Sequence, residues 1–482
     1  MKSIRRNFLY QALYEVLIIL MPLATSPYIS RILGAEAIGV YSYTYSVANY
    51  FVLFAMLGIS NYGNRLISST QNDRAQLNRE FSSLFWVHII FSALVLGCYF
   101  IYCFFWAPAN ERVYSLIQGM FVASAIFDIN WFFFGIEEFK LSVTRNTIIK
   151  ILSFASIFLF VRQKGDLDKY CCIMAGSILF SQIAVWPFLR RYVSFVRVTL
   201  KDMGKHVRPM IVLFVPVLAV SLYKIMDKVM LGAMDTRLSL GYYENAEKVV
   251  SVFVTAVSAF GTVMLPRMNN LFASGEEEIG NAYLQRSMKW IPIVTYAVAF
   301  GVIGVSSNFV RIFWGEDFSD SAPILSVLIC SLPFVAFASV IRMQYLIPKH
   351  KDWEYIVSVC GGAVINLTIN YLLIPKYAGV GAAIGTICAE GFVCLYQAWT
   401  VRNETEALKY IRKSIPFMVA GAAMGIIVRH IGNDLQLGLL PELLIQIAAG
   451  CLIYFALLSI LLHKEIATHI RKRHARNRLH GD

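Results

Sequence analysis

The sequence predicts an all-α polytopic membrane protein of about fourteen transmembrane helices, arranged as two parallel six-helix bundles plus two C-terminal helices. Three observations lead there. The composition, 57% hydrophobic and 15% charged with a mean hydropathy of +0.60, is too apolar for a water-soluble fold, whose charged share is about 25%. Apolar runs long enough to cross a bilayer, about 20 residues of helix, recur along the whole chain. Lys and Arg are alternately abundant and scarce in the gaps between those runs, as in a chain that weaves through a membrane.

The spans fall at approximately 9 to 30, 37 to 60, 82 to 105, 113 to 134, 146 to 162, 170 to 189, 209 to 233, 246 to 269, 287 to 308, 321 to 347, 354 to 374, 379 to 400, 411 to 430 and 441 to 462. The first follows Lys2, Arg5 and Arg6, outruns the apolar region of a signal peptide and lacks a small-x-small cleavage site, so it is expected to be a retained helix. The N-terminus and the even-numbered loops hold 29 Lys and Arg, and the other loops hold 9. Five more lie in or beside helices: Lys150, Lys224, Lys228, Lys248 and Arg342. This bias puts both termini in the cytoplasm. It also accounts for the net charge of +13 without a nucleic-acid partner. The nine Cys lie mostly in apolar runs, with no C-x-x-C and no His at ligand spacing, and are read as packing residues. No metal or cofactor is expected. The run Trp131-Phe132-Phe133-Phe134 reads as an interfacial aromatic belt, with Asp128 ordered at the same interface.

Helices one and seven share features. Pro22, Pro27 and Leu33-Gly34 precede Gly39-Val40-Tyr41, while Pro216 and Leu231-Gly232 precede Gly241-Tyr242-Tyr243. The match implies a parallel repeat of six plus six helices, with a substrate route between the halves. The resulting division is 1–208, 209–403 and a terminal helix pair with a basic tail, 404–482. The alignment sets Ser42, Tyr43, Tyr45 and Ser46 of helix two against Glu244, Asn245, Glu247 and Lys248 of helix eight.

Ionisable residues inside spans are the informative positions, because each costs about 2.5–3.5 kcal/mol at a helix centre and needs a partner or a wet cavity. Lys224, Asp227 and Lys228 share one face of helix seven, with Tyr223 adjacent. They form either an Asp227 ion pair with one lysine reaching outward, or a cationic site for a phosphate-bearing head group. Glu390 lies on a stripe with Thr386 and Gln397, beside Gly381 and Gly385 at close-packing spacing. It is a protonated acid bonded to a neighbouring helix or an ion-coupling carboxylate. Glu15 could pair with a lysine of the opposite half or anchor at the interface, and Glu247 and Lys248 belong to the polar face that opens helix eight.

No nucleotide-binding loop, zinc-protease motif or nucleophile elbow is present, and no loop exceeds about 20 residues, so an enzyme is not expected. Several segments carry a resemblance: Asn61-Tyr62-Gly63-Asn64-Arg65, Asp128-Ile129-Asn130-Trp131-Phe132 with Arg145-Asn146, Asp227-Lys228-Val229-Met230-Leu231-Gly232, Gly241 to Lys248, Leu265-Pro266-Arg267, and Ile374-Pro375-Lys376 with Gly379 to Ala383. In order and spacing the chain resembles the polysaccharide-transporter family, in the superfamily of multidrug extruders and lipid-linked oligosaccharide flippases.

The resemblance implies a flippase of the bacterial inner membrane. Its expected substrate is an isoprenoid pyrophosphate bearing an oligosaccharide repeat unit for O-antigen, capsule or exopolysaccharide, and a polymerase and glycosyltransferases of the same pathway would be further partners. The substrate site implied is Lys224 and Lys228 with Tyr223 and Arg31. Asp227, Glu390, Glu15, Glu247 and Lys248 are the candidates for ion coupling or cavity lining. A multidrug or cation antiporter of the same fold and a membrane-bound polymerase or ligase are the alternatives.

Overall fold

The computed structural model describes residues 2–434 and 437–479, with side chains described for 21–463 apart from Phe139, Pro216, Ala219, Leu222, Tyr223, Asn433 and 435–436. Among these residues the only regular structure is helical. The first helix, α1 (Lys2–Met56), is broken at Gly34, whose φ of 79° and ψ of 170° leave the helical region through a conformation that glycine alone adopts without cost. The chain continues through α2 (Ile59–Thr70), α3 (Arg74–Phe105), α4 (Arg112–Ser124), α5 (Asn130–Gly135), α6 (Phe139–Phe160), α7 (Leu167–Ile183), α8 (Trp186–Leu189) and α9 (Leu200–Met234). It then forms α10 (Arg237–Ala273), α11 (Glu277–Phe313), α12 (Ser321–Leu328), α13 (Leu332–Ile341), α14 (Asp352–Thr400), α15 (Ala407–Asp434) and α16 (Leu439–Leu479).

Two of the helix starts at polar gaps are made by side-chain caps. Asp73 accepts from the backbone N–H of Ala75 and Gln76 ahead of α3, and Thr199 with Asp202 forms a reciprocal box ahead of α9. The long α14 folds back at Ala378 (φ 48°). A Cβ on Gly381 would press on the carbonyl of Leu373, eight residues earlier and about 12 Å away in a straight helix. The small-residue pair around 381 thus packs against its own helix across the bend.

Ten helices among the described residues are long and apolar enough to cross a bilayer. Their outer faces carry large apolar side chains in the open, including Leu94, Phe105, Leu452 and Phe455, far beyond what a soluble surface tolerates. The multi-pass membrane reading is borne out.

Two compact units form, Met1–Lys248 with Asn366–Ala382, and Val249–Ile365 with Ala383–Asp482. In the first unit, Trp131, Phe132 and Phe133 are buried with Phe81, Phe85 and Leu84. This corrects the expected interfacial belt. A tight turn at Ala125–Phe127 and an extended Asp128 interrupt the helix, so the short α5 turns its rings inward and only Phe134 stays exposed. Asp128 is held there by Asn130 and Gln182.

Candidate functional site

The site begins with two glycines. A Cβ on Gly39 would overlap the carbonyl oxygen of Arg237, and a Cβ on Gly241 would overlap that of Ala35. Each glycine lies four residues after the residue that meets the other, so α1 and α10 cross with their backbones in reciprocal contact. The polar faces that follow the crossing therefore meet. Ser42 donates to Glu244 Oε2 at 2.7 Å, and Asn245 donates to Ser30 at 2.8 Å. Beside the crossing, the Arg237 guanidinium stacks 3.6 Å over the Tyr43 ring and donates to both oxygens of the buried Glu111, at 2.7 and 3.0 Å.

Lys228 of α9 reaches the same place. Its Nζ lies 2.8 Å from Glu244 Oε2 and 2.6 Å from Glu247 Oε2, one turn apart on α10. Lys248 Nζ is 3.6 Å from Glu244 Oε1, so the two carboxylates serve two ammonium groups. A cavity of about 350 Å³ opens onto this cluster, lined by Lys150, Lys228, Lys248 and Glu244 together with hydroxyls from Thr25, Ser26, Ser30, Ser42, Ser153 and Ser177. Tyr41, Tyr45 and Tyr170 form its aromatic wall, Tyr41 stacking on Tyr45 at 5.7 Å and meeting Tyr170 edge-on at 4.8 Å. Hydroxyls and aromatic faces suit a sugar, and the lysines suit an anion.

Asp227, next to Lys228, has a different setting. Its Oδ2 accepts from Tyr243 at 2.9 Å, and its Oδ1 from Asn366 at 2.8 Å and Asn370 at 2.6 Å. The Asn370 Oδ1 is buried without a hydrogen-bond partner. One turn of α9 and one of α10 thus carry two adjacent rungs, Asp227 with Tyr243 and Lys228 with Glu244.

Of the residues singled out from sequence, the structure brings Lys228, Glu247 and Lys248 into one cluster and places Asp227 beside it. Lys224 and Arg31 are exposed and do not line the cavity. The side chains of Glu15 and Tyr223 lie outside the described residues. Glu390 is half-buried on α14, in the second unit. Sequence reasoning noted Lys150 and Glu244 without giving either a role, and it passed over Asn366 and Asn370. A polar residue in each apolar run was the available signal, but its partners lie as many as 202 residues away.

The second unit holds a cavity of about 500 Å³ of opposite character, walled by Phe253, Val302, Phe309, Met424 and Phe455, with Gln446 at its edge.

The family model described as "Polysaccharide biosynthesis protein" matches residues 4–272, more than half of the chain. The chain belongs to this family. The transporter resemblance noted from sequence is thereby borne out. Among relatives, a proposed O-antigen transporter of Escherichia coli K12 is 22% identical over 410 residues, 83% of this chain and 97% of that protein. The lipid II flippase MurJ of Bacillus subtilis is 23% identical over 189 residues, 38% of this chain and 34% of the relative. Among solved structures, a lipid II flippase MurJ in an inward closed conformation superposes with a TM-score of 0.78 at 15% identity, covering 95% of this chain and 100% of that one. An inward-facing multidrug transporter of the MATE family gives 0.63 at 13% identity, covering 83% and 99%. These likenesses fix the fold class that the family shares.

Proposed function

We propose that this protein is a flippase that moves an isoprenoid-pyrophosphate-linked oligosaccharide repeat unit from the cytoplasmic to the outer leaflet of the bacterial inner membrane, by alternating access, during surface polysaccharide biosynthesis. The observation that carries the reading is the cavity that gathers Lys150, Lys228 and Lys248 with a tyrosine wall and a ring of hydroxyls. The isoprenoid tail is already at home in hydrocarbon. The sugars and pyrophosphate would lose their water there, at a cost of several kcal/mol per unpaired polar group, and this lining replaces that water. A relative named for O-antigen transport along nearly its full length supports the substrate class.

In this reading Lys228 takes the pyrophosphate in preference to the exposed Lys224, and Tyr41, Tyr45 and Tyr170 face the sugars. Asp227 with Asn366 and Asn370 answers to a coupling cation. Rotating the two amides would turn their oxygens toward the Asp227 carboxylate, which gives a monovalent cation an all-oxygen shell. Glu390 is the alternative coupling acid. Six-helix halves at 1–208 and 209–403, a terminal pair at 404–482 and cytoplasmic termini complete the proposal.

The test is surface polymer in a deletion strain complemented at matched protein level. Lys228→Gln is expected to abolish export. Normal polymer with that variant would remove the site. Sensitisation of the deletion strain to organic cations with polymer intact would favour a drug antiporter, and turnover of lipid-linked sugar in detergent would favour an enzyme.

A further inference from the structure

We propose that Glu244 and Glu247 are built-in competitor anions that occupy Lys228 until a pyrophosphate-bearing head group displaces them, so that they set how tightly the cavity holds its substrate and let it leave. The proposal rests on the reading of Lys228 as the pyrophosphate site.

The geometry points this way for three reasons. First, Lys228 has three N–H donors, and carboxylate oxygens of two different residues stand within 2.8 Å of its Nζ. They stand where two oxygens of a phosphate group would lie. Second, one of those carboxylates has somewhere to go. Glu244 already receives Ser42 on the oxygen that faces Lys228, and its other oxygen lies 3.6 Å from Lys248. It can give up Lys228 and remain paired. Third, Lys228 and Glu244 border the cavity, and Lys248 lines it beside them. A half-buried lysine whose partners were purely structural would have no reason to face open space.

The energetics favour such an arrangement in a transporter. A bare lysine in a low-dielectric cavity would bind a doubly charged pyrophosphate too tightly to release it. It would also stand uncompensated whenever the cavity was empty, at a cost of several kcal/mol. Resident carboxylates remove both problems, since binding becomes an exchange of one anion for another. Binding then gains only the difference between two similar ion pairs.

Charged and titratable groups around the pair come from every neighbouring element. Tyr41 and Tyr45 belong to α1, Lys150 to α6 and Tyr170 to α7. Asp227 on α9 is bonded to Tyr243 of α10. All of these are unchanged in the variants below, so differences among E244Q, E247Q and their double variant report the two glutamates.

The experiment uses the full chain purified in detergent and the soluble pyrophosphate diester UDP-glucose, whose charge is constant across the neutral range, with uridine and glucose as controls. Glu247→Gln and Glu244→Gln keep the size and a hydrogen-bonding oxygen while removing the competing charge. Each is expected to tighten UDP-glucose binding by roughly tenfold, with slower dissociation. The E244Q/E247Q double variant is expected to bind at least as tightly as either single variant. The triple variant K228Q/E244Q/E247Q leaves no unpaired acid and is expected to fold yet bind more weakly than wild type. Equal or weaker binding by the single glutamine variants would overturn the competitor role while leaving Lys228 as the site. Binding by the triple variant equal to wild type would overturn the Lys228 assignment itself, and absence of binding in every variant would overturn both.

Discussion

The two helices that cross at Gly39 and Gly241 use one backbone device and opposite side-chain chemistry. Each glycine lies against a carbonyl of the other helix, so the approach is the same from both sides. Beyond the crossing, α1 presents Ser42, Tyr45 and Ser46, whereas α10 presents Glu244, Glu247 and Lys248. The first set offers hydroxyls and a ring, and the second offers charge. A matched pair of helices therefore builds a mismatched site, in which one wall is fit for sugar and the other for an anion and its counter-ions. An apolar cavity of the second unit, lined by Phe253, Val302 and Phe455, has neither property.

The strongest way to break the comparison is to spoil the shared crossing. Gly39→Leu and Gly241→Leu put a side chain into a backbone carbonyl that cannot step aside. Each is expected to cost upwards of about 3 kcal/mol and to abolish polymer export, with a lower yield of folded protein on size-exclusion chromatography. If either variant folds and exports normally, the crossing is looser than described. Breaking only the charged wall comes next. Lys228→Ala leaves Glu247 without its ammonium and Glu244 with Lys248 alone and is expected to lose about 3–5 kcal/mol of stability. Adding E244Q and E247Q should recover most of the thermal stability and none of the export, which separates the fold from the function of this wall.

How far the sequence reached follows the same division. Helix spans are periodic features, and they were legible because a hydrophobic run records each; the Gly-Tyr segments at 39 and 241 were legible as a repeat, while the crossing of their backbones was not. The helix-seven face was only half legible. Spacing put Lys224, Asp227 and Lys228 on one side, but the structure exposes Lys224, buries Asp227 and gives Lys228 to two glutamates. Pairing across 139 or 143 residues, as between Asp227 and Asn366 or Asn370, leaves no local pattern. The buried Trp131-Phe132-Phe133 run was misread for a related reason, because an aromatic belt and an aromatic core look alike until the turn at Ala125–Phe127 is known.

Smaller perturbations sharpen the picture. Glu111→Gln removes the charge that Arg237 meets beside the crossing and is expected to cost about 1–3 kcal/mol, read as a lower melting temperature with export reduced but present. Asp227→Asn keeps the hydrogen bonds' geometry and is expected to leave melting nearly unchanged while export loses its dependence on the coupling cation. Unaltered cation dependence would move the coupling role to Glu390. The smallest effect lies in the loop before α7. The Lys169 ammonium and the backbone N–H groups of Arg162 and Gln163 hold the Asp166 carboxyl at about 2, below its ordinary 3.8. Its contribution to stability is therefore full above about pH 4 and lost as the pH falls through about 2. Asp166→Asn should flatten the acid limb of the stability profile and leave neutral-pH export intact.

The most direct test is translocation in vesicles that contain the purified protein and a fluorescent isoprenoid-pyrophosphate-linked oligosaccharide, read by a membrane-impermeant quencher on one side. The wild-type chain is expected to exchange the label between leaflets, and K228Q/E244Q/E247Q, folded and inserted at the same level, is expected to leave it where it started. Equal exchange by the two proteins would contradict the account.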